Sequence, residues 1–338
     1  MESSALAVRR SSWFVRGVLA LLLAMGLSIL AMMWWWDTEP GYFDPIKATQ
    51  QRATERQQPV VVGSATTTAL IRSLEVMLDK RGGYLSNDKL PPGVLLDNIP
   101  NWEFGVVTAS RDLTRALRNE FSRSQTQSVE DKDLQEAEPL ISSPNDRWLL
   151  PSSESQYRKA IGRIDSYSAR LADADKDDAQ FYARADNLVD FLSVVSTRLG
   201  SLSQRLSASV GQMRIDTDLA NDPNAQQSRP AAGSRVVKTP WTKIDDNFYE
   251  ARGYTWAIRE QLEAIRVDFG PVLRDKNAMI SLEQVIREIE EAQNPLSSPM
   301  VLNGSPFGFF ANHSLVLANY ISRANAALIE LRELLKRG

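Results

Sequence analysis

The sequence predicts an all-α protein: a single N-terminal transmembrane helix followed by an antiparallel helical-bundle domain on the far side of the membrane. Three observations carry that expectation. An uncharged apolar run, GVLALLLAMGLSILAMMWWW, fills residues 17–36. Beyond it, long polar segments place apolar residues at alternating steps of four and three, the spacing of a helix face that packs on other helices. Runs with the period-two alternation of a half-buried strand are scarce. Several such helices can cover one another's apolar stripes as a bundle.

The anchor comes first. Twenty helical residues at about 1.5 Å each span roughly 30 Å, the depth of a hydrocarbon core. Arg9, Arg10 and Arg16 precede the run with only Glu2 opposing, whereas Asp37, Glu39 and Asp44 follow it. Basic flanks stay cytoplasmic, so residues 1–16 are expected inside and the rest of the chain outside. Trp34, Trp35 and Trp36 stand where an interfacial aromatic belt belongs. A cleaved signal peptide needs a shorter apolar core ending in a small-x-small site. Ala24-Met25-Gly26 has that pattern but lies mid-run, which favours an uncleaved anchor.

Residues 37–64 read as a tether, broken by Pro40, Gly41 and Pro45, with a short juxtamembrane helix over the polar run 48–58. The exported domain is 65–338, with possible halves 65–152 and 153–338. Its first helix, 66–80, presents Ile71, Leu74 and Leu78 and stops at Gly82-Gly83. Pro91, Pro92, Gly93 and Pro100 make the following stretch turn-rich. Helix resumes over 106–123 through Leu113, Leu117 and Phe121. The acidic, proline-punctuated 124–152 reads as a loop. Helices follow at 154–172 and 177–213, the latter through Leu188, Leu192, Val195, Leu199, Leu202 and Leu206. The stretch 214–240 is a flexible loop of unusual length. Residues 241–269 are helical, Pro271 opens the next helix to about 293, and 294–312 connects it to a last helix, 314–336, through Leu317, Ile321, Ala324, Leu328, Leu331 and Leu335. A weak echo links Phe181-Tyr182 and Phe248-Tyr249, each behind a pair of aspartates that suits a helix N-terminus.

Composition narrows the function. Lys+Arg total 39 against Asp+Glu 42, a net charge of -3; setting aside Arg9, Arg10, Arg16 and Glu2 leaves -5 on the exported part. Nucleic acid is not an expected partner. Without cysteine, disulfides, thiolate zinc sites and cysteine nucleophiles are excluded. A single histidine, His313, removes multi-histidine metal sites and most Ser-His-Asp chemistry. No cofactor, metal site or catalytic residue is expected.

Several peptides carry a resemblance: GGYLSNDKLPPG from Gly82, NWEFGV from Asn101, LRNEFSRSQTQSVEDKDL from Leu117, FYARADNL from Phe181, RLGSLSQRLSASVG from Arg198, FYEARGYTWA from Phe248 and ANHSLVLANYISRANAALIELRELL from Ala311. In these the chain resembles the bacterial inner-membrane proteins of the domain of unknown function 2333 family. The resemblance implies a single-pass envelope topology, with the lipid bilayer as partner through residues 17–36, and transfers no functional residue.

Three clusters are candidates for binding. Arg111, Arg115 and Arg118 share a helix face, with Arg123 just beyond. They suit an anionic ligand, or a solvated face paired with Asp112, Glu120 and the acidic residues of 130–138. Trp102, with Glu103, Phe104 and Tyr84, lies among prolines and glycines; such a set can wall a sugar or amine pocket or plug the bundle's end. Phe307, Phe309 and Phe310, beside His313, make an apolar connection that suits a partner surface or tucks inside, with His313 a capping residue. Ser201, Ser203, Ser207 and Ser209 allow close helix approach or line a polar groove. The leading expectation is a non-enzymatic scaffold or binding module facing the periplasm with an envelope protein partner. The alternatives are a ligand-sensing domain that signals through a partner and a carboxylate-dependent envelope glycan hydrolase using Glu103.

Overall fold

In the computed structural model, which describes residues 2–125, 128–173, 178–215, 234–298 and 300–337, the apolar run is part of α1 (Glu2–Trp36). Its segment Trp13–Trp36 has a mean hydropathy of 2.2 and none of it is buried. Among the described residues, one helix, at the N-terminus, is long and apolar enough to cross a membrane. From Trp13 onward its contacts with the body lie at its last turn, at Trp35 and Trp36.

The body contains α2 (Pro45–Arg56), α3 (Ser64–Asp79), α4 (Asn98–Ala116), α5 (Lys132–Ile141), α6 (Ser153–Leu171), α7 (Ala185–Ser207), α8 (Ile244–Asp268), α9 (Gly270–Asp275), α10 (Met279–Glu291) and α11 (His313–Lys336). One antiparallel pair, β1 (Gln212–Ile215) with β2 (Ser234–Val237), is the only sheet among the described residues, with Gln212 opposite Val237. The fold is all-α, as expected.

The centre is the pair α4 and α8. They run parallel: Asn101 reaches Asp246 near their starts, and Phe121, one turn past α4, meets Phe269 just after α8. Their backbones touch at two glycines. A Cβ on Gly105 would stand 2.2 Å from the Glu250 carbonyl oxygen, and one on Gly253 would stand 1.9 Å from that of Trp102. Only a hydrogen fits there. Around this pair lie α3, α5, α7 and α10; α11 packs antiparallel on α7 and also on α10, and α6 packs on α3 and α5. The four-three positions named above on α7 and α11 are all buried.

Several local expectations are corrected. Residues 37–44 are no loose tether; they lie against α8. Pro100 does not exclude helix, because it sits in the first turn of α4, where the missing N–H has no intrahelical partner to lose. The acidic 124–152 holds α5, whose Leu134, Ala137 and Ile141 are buried at three- and four-residue spacing. Its carboxylates are neutralised by arginines from α6 and from the end of α4, so an acidic composition hid an amphipathic helix. Residues 178–184 are non-helical, with the Tyr182 N–H donating to Phe121 O at 2.6 Å, so α7 begins later than its aspartates suggest. The Phe181–Tyr182 echo therefore fails, since Phe248–Tyr249 lies inside α8. Asn277, at φ 50°, divides the expected 271–293 helix in two. Most of the long loop, 216–233, lies outside the described residues.

Candidate functional site

One end of the bundle collects four connections. Lys80, just after α3, pairs with Glu103 on the second turn of α4. Tyr84 Oη donates to Asn145 O at 2.8 Å, and Asn87 Nδ2 donates to Glu154 at 3.0 Å, which brings in the α5–α6 connection and the start of α6. Arg205, near the end of α7, binds Glu250 at 2.6 Å, and Ser203 Oγ donates to Ala318 O at 3.1 Å near the start of α11. The end of α10 arrives through Arg252, which donates to Ala292 O at 3.2 Å. The last turn of α1 sits at this same end. The Arg81 guanidinium lies 4.3 Å from the Trp35 ring, Trp36 covers Gly82, and Asn98 Nδ2 donates to Asp37 at 3.0 Å.

From there the chain is sewn to α8. Arg252 is buried and donates through Nε to Glu39 at 2.7 Å, while its other nitrogens reach the carbonyls of Ala292, Gln293 and Asn294. The Arg259 guanidinium stands 4.5 Å from the Tyr42 ring. Phe43 N–H donates to Glu260 Oε1 at 3.1 Å. The Phe43 ring meets Trp256 edge-on at 6.0 Å, and Trp256 meets Trp102 at 5.1 Å. Asp44 then caps α2 by accepting from the N–H groups of Ile46 and Lys47. Burial drives the Glu260 carboxyl up to about 8, with Arg259 and the Phe43 N–H opposing the shift. This seam joins the end of α1 to the bundle core.

Sequence reasoning missed the seam. Glu39, Tyr42 and Phe43 are a short polar-aromatic stretch with no period, and their partners lie more than 200 residues away on α8. A signal existed in retrospect: the peptides GGYLSN, NWEFGV and FYEARGYTWA all meet at this end.

The arginine stripe is paired. Arg111 donates to the carbonyls of Ile141 (2.9 Å) and Ser143 (2.7 Å) and so holds the end of α5. Arg115 reaches Glu138 at 3.2 Å, Arg118 reaches Glu130 and Glu138, each at 2.6 Å, and Arg123 stands 3.9 Å from Glu130. The partners come from the acidic segment; Asp112 turns instead to Arg198 at 3.0 Å. Burial, aided by the nearby Asp190 charge, raises the Glu120 carboxyl to about 7.

Trp102 and Glu103 do not wall a pocket. Both are fully buried inside α4. Glu103 accepts from Lys80, from the N–H groups of Leu85 and Ser86 at 2.8 Å, and from Ser86 Oγ at 2.5 Å. Burial pushes its carboxyl up while Lys80 pulls it down. With every lone pair directed at a protein donor and no exposed surface, Glu103 cannot touch a glycan and cannot serve a hydrolase as acid or base. Its work is to fold the glycine turn back over α4.

The 294–312 connection ends in a hairpin-like loop. The N–H of Leu302 donates to His313 Nδ1 at 3.0 Å and the N–H of His313 to Leu302 O at 2.8 Å; Gly304 N–H bonds Ala311 O at 3.0 Å. Asn312, not His313, caps α11, accepting from Leu315 N–H at 2.9 Å. Partial burial lowers the His313 pKa. At the tip, Phe307, Phe309 and Phe310 are 102%, 98% and 70% exposed.

A groove of about 370 Å³ also runs between α2 and α3, bordered by Arg52, Arg56, Arg72 and Glu75. Its cations are engaged: Arg52 and Arg56 both bind Asp165, and Arg72 meets Glu75 at 3.2 Å. Among the described residues, no group of three or more His, Cys, Asp or Glu is placed to hold a metal ion.

A family model described as "Uncharacterized protein conserved in bacteria (DUF2333)" matches residues 7–338. The chain belongs to the DUF2333 family. No curated protein and no solved structure matches it. The match takes in nearly all of α1, the seam and the whole body, so the apolar helix and the bundle fall within one family match.

Proposed function

We propose that this DUF2333 protein is a single-pass inner-membrane protein whose helical body stands in the periplasm as a non-enzymatic scaffold for another envelope protein. The observation that carries the reading is the unburied apolar length of α1 joined firmly at its end to a well-packed body. Arg9, Arg10 and Arg16 before the span, against Asp37, Glu39 and Asp44 after it, support a cytoplasmic N-terminus. The buried carboxylate Glu103 is engaged in holding the fold, which leaves it no catalytic role.

The absence of cysteine makes the topology directly testable. Val129→Cys, at an exposed position, should react with a membrane-impermeant maleimide in intact spheroplasts. Reaction only after lysis would overturn the orientation. The scaffold role predicts a discrete crosslinked protein when photo-crosslinkers are placed on the body in native membranes. A second reading, ligand sensing through a partner, is favoured by the seam, since a shift of α8 would be transmitted to α1.

A further inference from the structure

The exposed aromatic rings of the body are not scattered. Outside α1, those among the described residues are Tyr42, Trp148, Trp241, Phe307, Phe309 and Phe310. Tyr42 lies in the exit segment, and the others lie on the α5–α6, α7–α8 and α10–α11 connections. Tyr42 lies partway along α8, beside Arg259; the other five belong to the end of the bundle that holds the last turn of α1. Leu90 on the α3–α4 connection and Leu150 beside Trp148 are exposed there too, at 73% and 94%. Among the described residues, the large apolar side chains exposed on the connections of the opposite end are aliphatic: Val60, Val62 and Val129.

Aromatic rings with one apolar body and one wet edge gather at the boundary between lipid and water. An apolar patch of several loops is unusual on a face that meets only water. What covers this patch follows from its neighbour. Trp35 and Trp36, at the end of the apolar span, are clamped to Arg81 and Gly82 of the same face. The Glu39–Arg252 pair fastens the chain just past α1 to α8. A bilayer entered by α1 therefore begins where these loops are.

We infer that this end of the body rests in the interfacial layer of the bilayer that α1 crosses, its aromatic and leucine-bearing loops forming a second, non-spanning lipid contact. The inference rests on the membrane-spanning reading of α1. Burial of the loop side chains in the headgroup layer supplies the driving force, which follows apolar area rather than charge. The body is thus a layer lying on the membrane, with its opposite end and sides left for a protein partner.

The experiment uses the full chain in phosphatidylcholine vesicles, with single cysteines carrying an environment-sensitive fluorophore. The positions are Lys89→Cys, Leu149→Cys and Ser305→Cys on the proximal loops, Val129→Cys at the far end, and Leu22→Cys inside α1. The proximal labels should be quenched by lipids bearing shallow spin labels and shielded from aqueous iodide; the Val129→Cys label should show the reverse. Lipid quenching at Leu22→Cys combined with iodide-accessible proximal labels would overturn this inference alone. Loss of lipid quenching at Leu22→Cys as well would overturn the anchor reading beneath it. Proximal labels shielded in native membranes but open to iodide in pure lipid vesicles would assign the patch to a protein partner and also overturn the proposal.

Discussion

The two ends of the bundle treat their aromatic residues in opposite ways. At the end far from α1, Phe121 and Phe269 are buried at ring distances of 5.2 Å, and Phe181 closes over both at 5.4 and 5.7 Å, pressed against Gly63. Thr66 donates to Asp268 at 2.7 Å through both its N–H and its hydroxyl, and Arg170 ties Asp131 and Asp133 together. That end is sealed against water by its own side chains. At the α1 end the turns are fastened just as firmly, through Lys80–Glu103 and the 302–313 hairpin, yet the rings of Trp148, Trp241, Phe307, Phe309 and Phe310 point outward. An outward ring here is not a sign of a loose loop. Hydrogen bonds shape these connections so that apolar tips project from a rigid base.

The sharpest way to break the comparison is to loosen that base. Glu103→Leu strands Lys80, which is itself buried, without its counter-charge, and frees the Leu85 and Ser86 donors. The expected loss is about 3–5 kcal/mol, read as a fall in the denaturation midpoint of the full chain in detergent. A loss below about 1 kcal/mol would mean that the pair does not hold the turn. At the sealed end, Phe269→Ala opens the three-ring cluster and should likewise cost about 3–5 kcal/mol.

The seam is probed by pH. Burial raises Glu260 from its ordinary 4.5 to about 8. Between those values the folded chain keeps a proton that the unfolded chain has released. The stability tied to this group is therefore complete below 4.5 and declines as pH rises through 8. Glu260→Gln removes that decline, so its melting temperature relative to wild type should climb between about pH 5 and pH 9. A constant offset across that range would show that Glu260 ionises normally in the folded chain. The smallest effect belongs to the outward rings: Phe309→Ala should change stability in detergent by no more than about 0.5 kcal/mol. A larger loss would mean that the ring packs on the body.

Legibility followed the range of the forces involved. Helix α7 is shorter than the expected 177–213 at both ends, and its expected last residues belong to β1. The spans of α3, α6, α8 and α11 were readable to within three residues because each buries a stripe that repeats along its own sequence. Helix α5 was not, because its carboxylates find arginines on α6 and at the end of α4, and acidity without those partners reads as solvent. The binding candidates show the same divide. The arginines were visible, but whether Arg118 meets Glu138 or a ligand depends on where α5 docks. The exposure of Phe307 was anticipated as one of two outcomes, and the hairpin decided it.

By itself the chain determined the apolar length of α1, its flanking charges, the helical class, and the exclusion of cysteine chemistry and multi-histidine metal sites, all of which depend on composition and on periods of a few residues. Only the tertiary structure decided that residues 37–44 are docked by Glu39 and Phe43 onto α8, that Glu103 is closed inside, and that four connections with outward apolar tips share one end with α1. Those facts need residues of separate elements to meet, and a helix stripe specifies that it must be covered without specifying by what.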